Sequence, residues 1–306
     1  MKRFLIKTLL VGIVLLLVLS VADIVATRYY RTRNHYPFAT WTDIVEGKLN
    51  SDLWILGSSR ALVQYNPQVF DSILDVSSYT LGCDAMHIFL QLQCYQVACE
   101  FNSKPKYLIL DLLWQSLDMS IVPLSRYVYM PYINNPRVRR IVKSNNIFSC
   151  EYLYIPYLRY HLEGRNETFY RNRTTYKGFE ARDAQWSPID LDGLDTIHYH
   201  KEKEAIDLLD NFLSECQEDS ISVIIIHSPF QREGFEKIQD HDKMLELFKS
   251  IADRHNLPFL DYTDDPISYD TLNFYNAMHL NAHGADLFSA KLAHDLDSLG
   301  LIPARR

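Results

Sequence analysis

The stretch "DLWILGSSRALVQYNP" (residues 52–67) opens with an apolar run, closes it on Gly57, and then places Ser58, Ser59 and Arg60. A short apolar run closed by glycine is the pattern of a strand buried on both faces. Asn66 and Pro67 then announce a helix over 66–74, with Asn66 as its cap and Pro67 at its first position. A strand that stops on two hydroxyls is either a capped turn or the seat of a nucleophile. The rest of the chain decides which.

Outward from this stretch the rhythm is α/β. "VSSYTLG" (76–82) reads as a second strand and "DAMHIFLQLQCYQVACEF" (84–101) as a helix. "KYLILDLLW" (106–114) is apolar nearly throughout, as in a parallel sheet covered on both faces. Residues 115–198 break the pattern and read as a long insertion with short helices around 135–160. The alternation resumes with a helix at 201–217, a β-branched strand at 221–230, a helix at 237–256, a strand at 258–264 and a closing helix at 281–300. Such alternation predicts a parallel sheet with helices on both faces.

Length and composition are those of a globular chain: 306 residues, 47% hydrophobic and 23% charged. A formal net charge of −7 argues against general nucleic-acid binding. Five scattered cysteines show no metal-ligand spacing, and the odd number leaves at least one thiol free or paired between chains. His198 and His200 in "HYH" lack a converging set of carboxylates, so no metal site and no cofactor are expected.

The N-terminus reads "MKRFLIKTLLVGIVLLLVLSVADIVATRYYRTR". Ser20, Val21 and Ala22 fit the small-x-small pattern of a cleaved signal peptide. Residues 4–26 are also long enough to span a bilayer if Lys7 reaches back to the interface. Because apolar residues continue past the cleavage point, an uncleaved anchor is the favoured reading, with 1–33 as anchor and flank and 34–306 as the folded domain. Basic residues flank both ends, so charge alone does not orient the span. Both readings put residues 34–306 outside the cytoplasm, in the periplasm or at the cell surface.

In parallel α/β sheets, sites lie beyond the carboxyl ends of the strands. Three stretches meet there: "GSSR" (57–60), "LGCD" (81–84) and "NAMHLNAHGA" (276–285). They offer a hydroxyl, a glycine whose N–H can approach a ligand, and His279. A hydroxyl beside an imidazole, with backbone N–H groups for the oxyanion, is the minimum for acyl transfer. Gly57-x-Ser59-x-Ala61 brushes the nucleophile elbow of α/β-hydrolases, but the serine follows the first strand and the last glycine is missing.

The order of Gly57-Ser58-Ser59, Gly82 and Asn276-Ala277-Met278-His279-Leu280-Asn281 resembles the SGNH (GDSL-like) hydrolase superfamily. The resemblance covers about residues 52–114 and 200–300. It implies a flavodoxin-like three-layer α/β/α fold with Ser59 as nucleophile, His279 as general base and Ser58 at the block's Asp position. It also implies that Gly82 joins the N–H of Ser59 in the oxyanion hole. An N-terminal membrane helix followed by "GSSR" is similar to the membrane-anchored relatives of alginate O-acetylation and teichoic-acid D-alanine transfer.

Two departures mark this chain. The family's Gly-x-Asn-Asp block should follow the third strand, but "LILDLLWQSLD" (108–118) has no Asn, leaving Gln115 as a substitute oxyanion donor. Asn276 stands where the triad has Asp, and an amide supplies no charge to the imidazolium. A carboxylate among Asp261, Asp264, Asp265 and Asp270 could reach His279 instead, or a carbonyl could orient it. A carboxylate there favours an enzyme; its absence favours a degenerate protein that binds glycan or scaffolds an envelope assembly. Arg60, at the edge of "GSSR", could hold an anion without chemistry, which requires it to turn into the pocket and Ser59 to stand out of reach of His279. His227 in "IIIHSPF" ends the fourth strand at the same edge, as an acid, a ligand or a structural group.

Residues 121–182 carry eleven Lys/Arg against four Asp/Glu, and nine of the twenty tyrosines. Tyr and Arg suit sugar faces and acidic polymers. They also suit packing on the core or on lipid headgroups. The expected protein is an anchored esterase or O-acyltransferase with an acylated polysaccharide as substrate. Membrane lipid at the N-terminal helix and a membrane acyl-donor protein are its expected partners.

Overall fold

The computed structural model describes residues 1–120, 127–144, 154–163, 174–187 and 196–304. The chain divides into two compact units, one of Met1–Thr42 with Leu124–Arg173, the other of Asp43–Pro123 with Thr174–Arg306.

The first unit begins with helix α1 (Lys2–Arg31), which is long and apolar enough to cross a membrane and has no buried residue. Helix α2 (Phe38–Val45) runs across the boundary between the units. A 3-10 turn (Tyr127–Tyr132) and helices α6 (Pro136–Ser144) and α7 (Leu158–Glu163) complete the unit's described elements. Its interior is aromatic. Tyr30 stacks on Phe38 at 5.2 Å and on Tyr160 at 5.4 Å, and meets Tyr127 edge-on at 5.1 Å. Arg31 donates to the Pro131 carbonyl from Nη2 at 2.8 Å. Tyr127, Tyr129, Tyr132 and Tyr160 are buried, so these four tyrosines of the insertion pack the unit rather than face a substrate. The insertion carries no periodicity because its partners are at 27–42, far away in sequence.

The second unit holds a five-stranded, all-parallel sheet: β1 (Leu53–Leu56), β2 (Ser78–Thr80), β3 (Tyr107–Asp111), β5 (Ser222–His227) and β7 (Phe259–Asp261), in the order β2-β1-β3-β5-β7. Counted within the sheet this is 2-1-3-4-5, the flavodoxin-like order, with its switch point beside β1. Leu53 pairs with Ser78 on one side and Tyr107 on the other. All four β1 side chains are fully buried, each contributing about 1.5–3 kcal/mol on an area basis.

Alternation along β1 feeds two cores. On one face, Leu53 and Ile55 join a cluster with Tyr65 beyond helix α3 (Ser59–Gln64), Phe70 of α4 (Pro67–Leu74) and Phe288 of the closing helix α11 (Ala282–Ser298). On the other, Trp54 meets Tyr95 of α5 (Ile88–Phe101) at 5.8 Å, and Tyr95 meets Phe212 of α8 (Lys203–Glu218) at 5.0 Å. The result is the expected three-layer α/β/α sandwich.

The caps follow the sequence. Asn66 accepts from the Gln68 N–H at 3.0 Å, and Asn281 from Gly284 N–H at 2.9 Å. Two helix starts differ by four residues: the helix expected over 84–101 begins at Ile88, and the one expected over 237–256 begins at His241 (α10, His241–Arg254). The residues before it, Ile238–Gln239 (β6), pair in parallel with Ile197–His198 (β4), after the short helix α9 (Arg232–Phe235). Cys83, Cys94 and Cys216 are buried, and Cys150 lies outside the described residues. Among the described residues no cluster of His, Cys, Asp and Glu could hold a metal.

Candidate active site

β1 ends at Leu56, Gly57 and Ser58 make the turn, and Ser59 opens α3. Asn276 and His279 come from a small antiparallel hairpin, β8 (Phe274–Asn276) and β9 (His279–Leu280). Asn281 ties it down, donating from Nδ2 to the Leu272 carbonyl at 2.7 Å while its Oδ1 caps α11.

These elements bring Ser59 Oγ to 2.8 Å from His279 Nε2. On the other side of the ring, His279 Nδ1 lies 3.0 Å from Asn276 Oδ1. The same Asn276 atom accepts the Met278 N–H at 2.9 Å. A backbone N–H can only donate, so that amide atom is oxygen and not nitrogen. His279 Nδ1 must then carry the proton, and neutral Nε2 is left bare to accept from the Ser59 hydroxyl. In a serine-protease triad an Asp-to-Asn change fails through the wrong tautomer. Here the Met278 N–H holds the amide in the orientation that keeps the right one.

No other carboxylate replaces the missing Asp among the described residues. Asp261 accepts from Thr263, Asp264 pairs with Arg232, Asp265 caps Ile267, and Asp270 caps Leu272. The amide carbonyl is the orienting group. Without a carboxylate nothing offsets burial, and with Arg60 and Arg182 adding repulsion the His279 pKa is pushed down to about 3. Tyr275 stacks on the imidazole, with centroids 5.4 Å apart and planes 10° from parallel, and Arg182 lies 5.6 Å over the Tyr275 ring.

Arg60 is not turned into a pocket. Its guanidinium is buried, donating to the carbonyls of Ser228 at 3.0 Å and Leu112 at 3.2 Å, and lies 3.6 Å from the buried carboxylate of Asp111. With Ser59 in reach of His279, neither condition for simple anion binding by Arg60 holds. Burial raises the Asp111 pKa, while Arg60 and the Ser228 N–H and hydroxyl pull it back. Arg60→Ala strands Asp111 without its cation, and a loss of about 3–5 kcal/mol is expected in urea unfolding.

His227 is fully buried, and its Nδ1 donates to the Leu112 carbonyl at 2.8 Å. Burial and the nearby Arg60 push its pKa well below the ordinary value. Its geometry is that of a scaffold group. Gln115 donates to Ser58 Oγ at 3.1 Å, which places it beside the turn that leads into Ser59; both are buried.

Gly82 is needed for a close approach. A Cβ there would sit 2.1 Å from the Leu62 nitrogen and 2.4 Å from the Ala61 carbonyl carbon, both backbone atoms of α3. Its N–H donates to Thr80 Oγ1 at 3.3 Å. Gly82→Ala must push α3, and Ser59 with it, away from His279. A fall in ester hydrolysis of about tenfold or more is expected even where the variant remains folded, since small misplacements of reacting groups are costly.

Gln64 escaped the sequence reading. It donates to Ser228 Oγ at 3.0 Å and accepts from the Leu280 N–H at 3.3 Å, joining α3, the end of β5 and the residue after His279. The one signal on offer is the i, i+4 spacing of Arg60 and Gln64, and it does not name their distant partners. Tyr275 and Arg182 had no sequence signal, because their place depends on the hairpin. Beside the hairpin lies a polar cavity of about 360 Å³, lined in part by Arg182, Asp183, Gln185, Asp270, Asn273 and His283.

No family model and no curated protein matches the sequence. Among solved structures, the chain is similar to a protein of Bacteroides fragilis NCTC 9343 designated an acylhydrolase, at 12% identity and a TM-score of 0.43, covering 81% of this chain and 87% of that one. It is also similar to an acetyl xylan esterase, at 11% identity and a TM-score of 0.41, covering 81% of this chain and 98% of that one. At these values the likeness bears no weight for function.

Proposed function

We propose that the chain is a membrane-anchored, extracytoplasmic serine esterase or O-acyltransferase that acts on acyl esters of an envelope or exported polysaccharide. The observation that carries the reading is the orientation of Asn276, which leaves His279 Nε2 free to take the Ser59 proton. Ser59 Oγ attacks the ester carbonyl, and its proton passes to His279 Nε2. The new C–O bond gives a tetrahedral oxyanion, for which the resemblance implies the N–H groups of Ser59 and Gly82 as donors; the Gly82 N–H serves it only by leaving Thr80 Oγ1, which it meets at 3.3 Å. The intermediate collapses, the alkoxide leaves with the proton from His279, and an acyl group remains on Ser59. Water or a sugar hydroxyl then gives its proton to His279 as it attacks the acyl carbon, and His279 passes that proton to the Ser59 oxygen as the acyl–Oγ bond breaks.

The cavity beside the hairpin is not lined by Ser59 or His279, but its polar side chains, Arg182, Gln185 and Asn273 among them, offer hydrogen bonds to the hydroxyls of a substrate that extends past the hairpin. Helix α1 supports the anchor by its length and apolar surface. The likeness to alginate O-acetylation and teichoic-acid D-alanine transfer proteins, and a membrane acyl donor as partner, belong to the same proposal. The rival reading, a degenerate glycan binder, is favoured by the absence, among the described residues, of a carboxylate in reach of His279. Incubation with 4-nitrophenyl acetate, followed by intact-mass measurement after acid quench, separates the two. An acetyl adduct on Ser59 supports the enzyme. An unmodified chain, with no nitrophenol released above the Ser59→Ala variant, supports the binder. Adding an oligosaccharide then tests transfer, read as acetylated sugar.

A further inference from the structure

The first unit holds a second polar cavity, of about 220 Å³, lined in part by Asp23, Asn134, Arg139, Tyr154 and Arg159. Asp23 belongs to α1, at the end of its longest uncharged run. The 19 residues 4–22 cover about 28 Å as helix, close to the hydrocarbon thickness of a bilayer. A helix that spans with those residues brings Asp23, and the cavity beside it, to the level of the phospholipid headgroups.

The cavity's charge fits that level. Arg159 is buried, and it pairs with Asp23 through Nη2 at 2.6 Å while its buried Nε–H has no hydrogen-bond partner among the described residues. Arg139 supplies a second cation, so two guanidinium groups face one carboxylate. The rim has interfacial character: Tyr154, Ile155 and Tyr157 are exposed, the Tyr157 N–H donates to Asp23 at 2.8 Å, and Lys143 lies 5.6 Å over the Tyr154 ring. A buried guanidinium N–H without an acceptor calls for an anionic oxygen, and phosphate suits paired arginines.

We propose that this cavity binds the phosphate of a phospholipid headgroup, in the leaflet where the apolar run of α1 ends. The site rests on the reading of α1 as an anchor and not on the chemistry of Ser59.

The test is native mass spectrometry of the full chain in detergent. Dioleoylphosphatidylglycerol is compared with dioleoylglycerol, which has the same chains and no phosphate, and inorganic phosphate is added as competitor. The expected result is one phosphatidylglycerol retained per chain, about tenfold over dioleoylglycerol. Arg139→Gln, and Arg159→Lys, which keeps the cation beside Asp23 but loses the Nε–H, should each lower retention by about tenfold. Equal retention by wild type and both variants overturns the proposal. So does equal retention of dioleoylglycerol, or displacement of the lipid by millimolar inorganic phosphate. The same spectra report whether residues 1–22 remain on the chain; their loss overturns the anchor and this site together. Acylation of Ser59, read in a parallel sample, fails or succeeds independently.

Discussion

Ser59→Ala lowers ester hydrolysis by about 10⁴- to 10⁶-fold, the range for removing a nucleophile that works as one unit with its base. The expectation follows from one contact. The Ser59 hydroxyl meets His279 Nε2 at 2.8 Å and makes no other hydrogen bond among the described residues, so the change removes the reacting atom without opening the core. The neighbouring Ser58, not Ser59, holds Gln115. The variant should therefore unfold at the same urea concentration as wild type while losing turnover. His279→Ala should lose nearly as much, and the double variant little more than either. Two additive losses, measured as kcat/KM on a soluble acetyl ester, would mean that the two residues do not act together.

Asn276→Asp has the second largest expected effect, and it is a gain. The sign follows from protonation. His279 must be neutral to take the serine proton, so activity falls as pH drops through its pKa. With that pKa near 3, the acid limb of wild type lies at very low pH, and kcat/KM should be level across the mildly acidic range. A carboxylate 3.0 Å from Nδ1 stabilises the imidazolium, raises the pKa and moves the acid limb upward by at least one unit. It also stabilises the cation formed as Ser59 attacks, so above the new limb the rate should rise by roughly 10- to 100-fold, at about 1.4 kcal/mol per tenfold. The gain is smaller than the loss in a serine-protease Asp-to-Asn change, because the tautomer here is already correct. An unchanged pH profile and rate would remove His279 from the reaction.

The parts of this site that were legible in sequence are those set by local chemistry. The β1 run ending on Gly57, the Asn66-Pro67 start of α4 and the Asn281 cap of α11 are read from adjacent residues, and each is in place. The parts that were not legible depend on long-range bonds. Helix α3 carries buried Arg60 and Gln64, whose partners, Leu112, Ser228 and Leu280, lie 50 or more residues away. In sequence such a segment looks like a polar turn. The hairpin is too short for any strand periodicity and is held by Asn281. Asn276 itself read as a defect, since its amide orientation is decided by the Met278 N–H, a backbone group that side-chain identities do not reveal. The tyrosines of the insertion read as much as a sugar-binding surface as a packing one, because aromatic composition alone does not say which rings meet.

The central claim is that Ser59 is an activated nucleophile. Its most direct test is covalent labelling of the detergent-solubilised full chain with a fluorophosphonate probe, with the modified residue located by peptide mass spectrometry. The account predicts one adduct on Ser59, absent in Ser59→Ala and strongly slowed in His279→Ala. A folded wild-type chain that stays unmodified, or that is labelled equally in all three proteins, would contradict it.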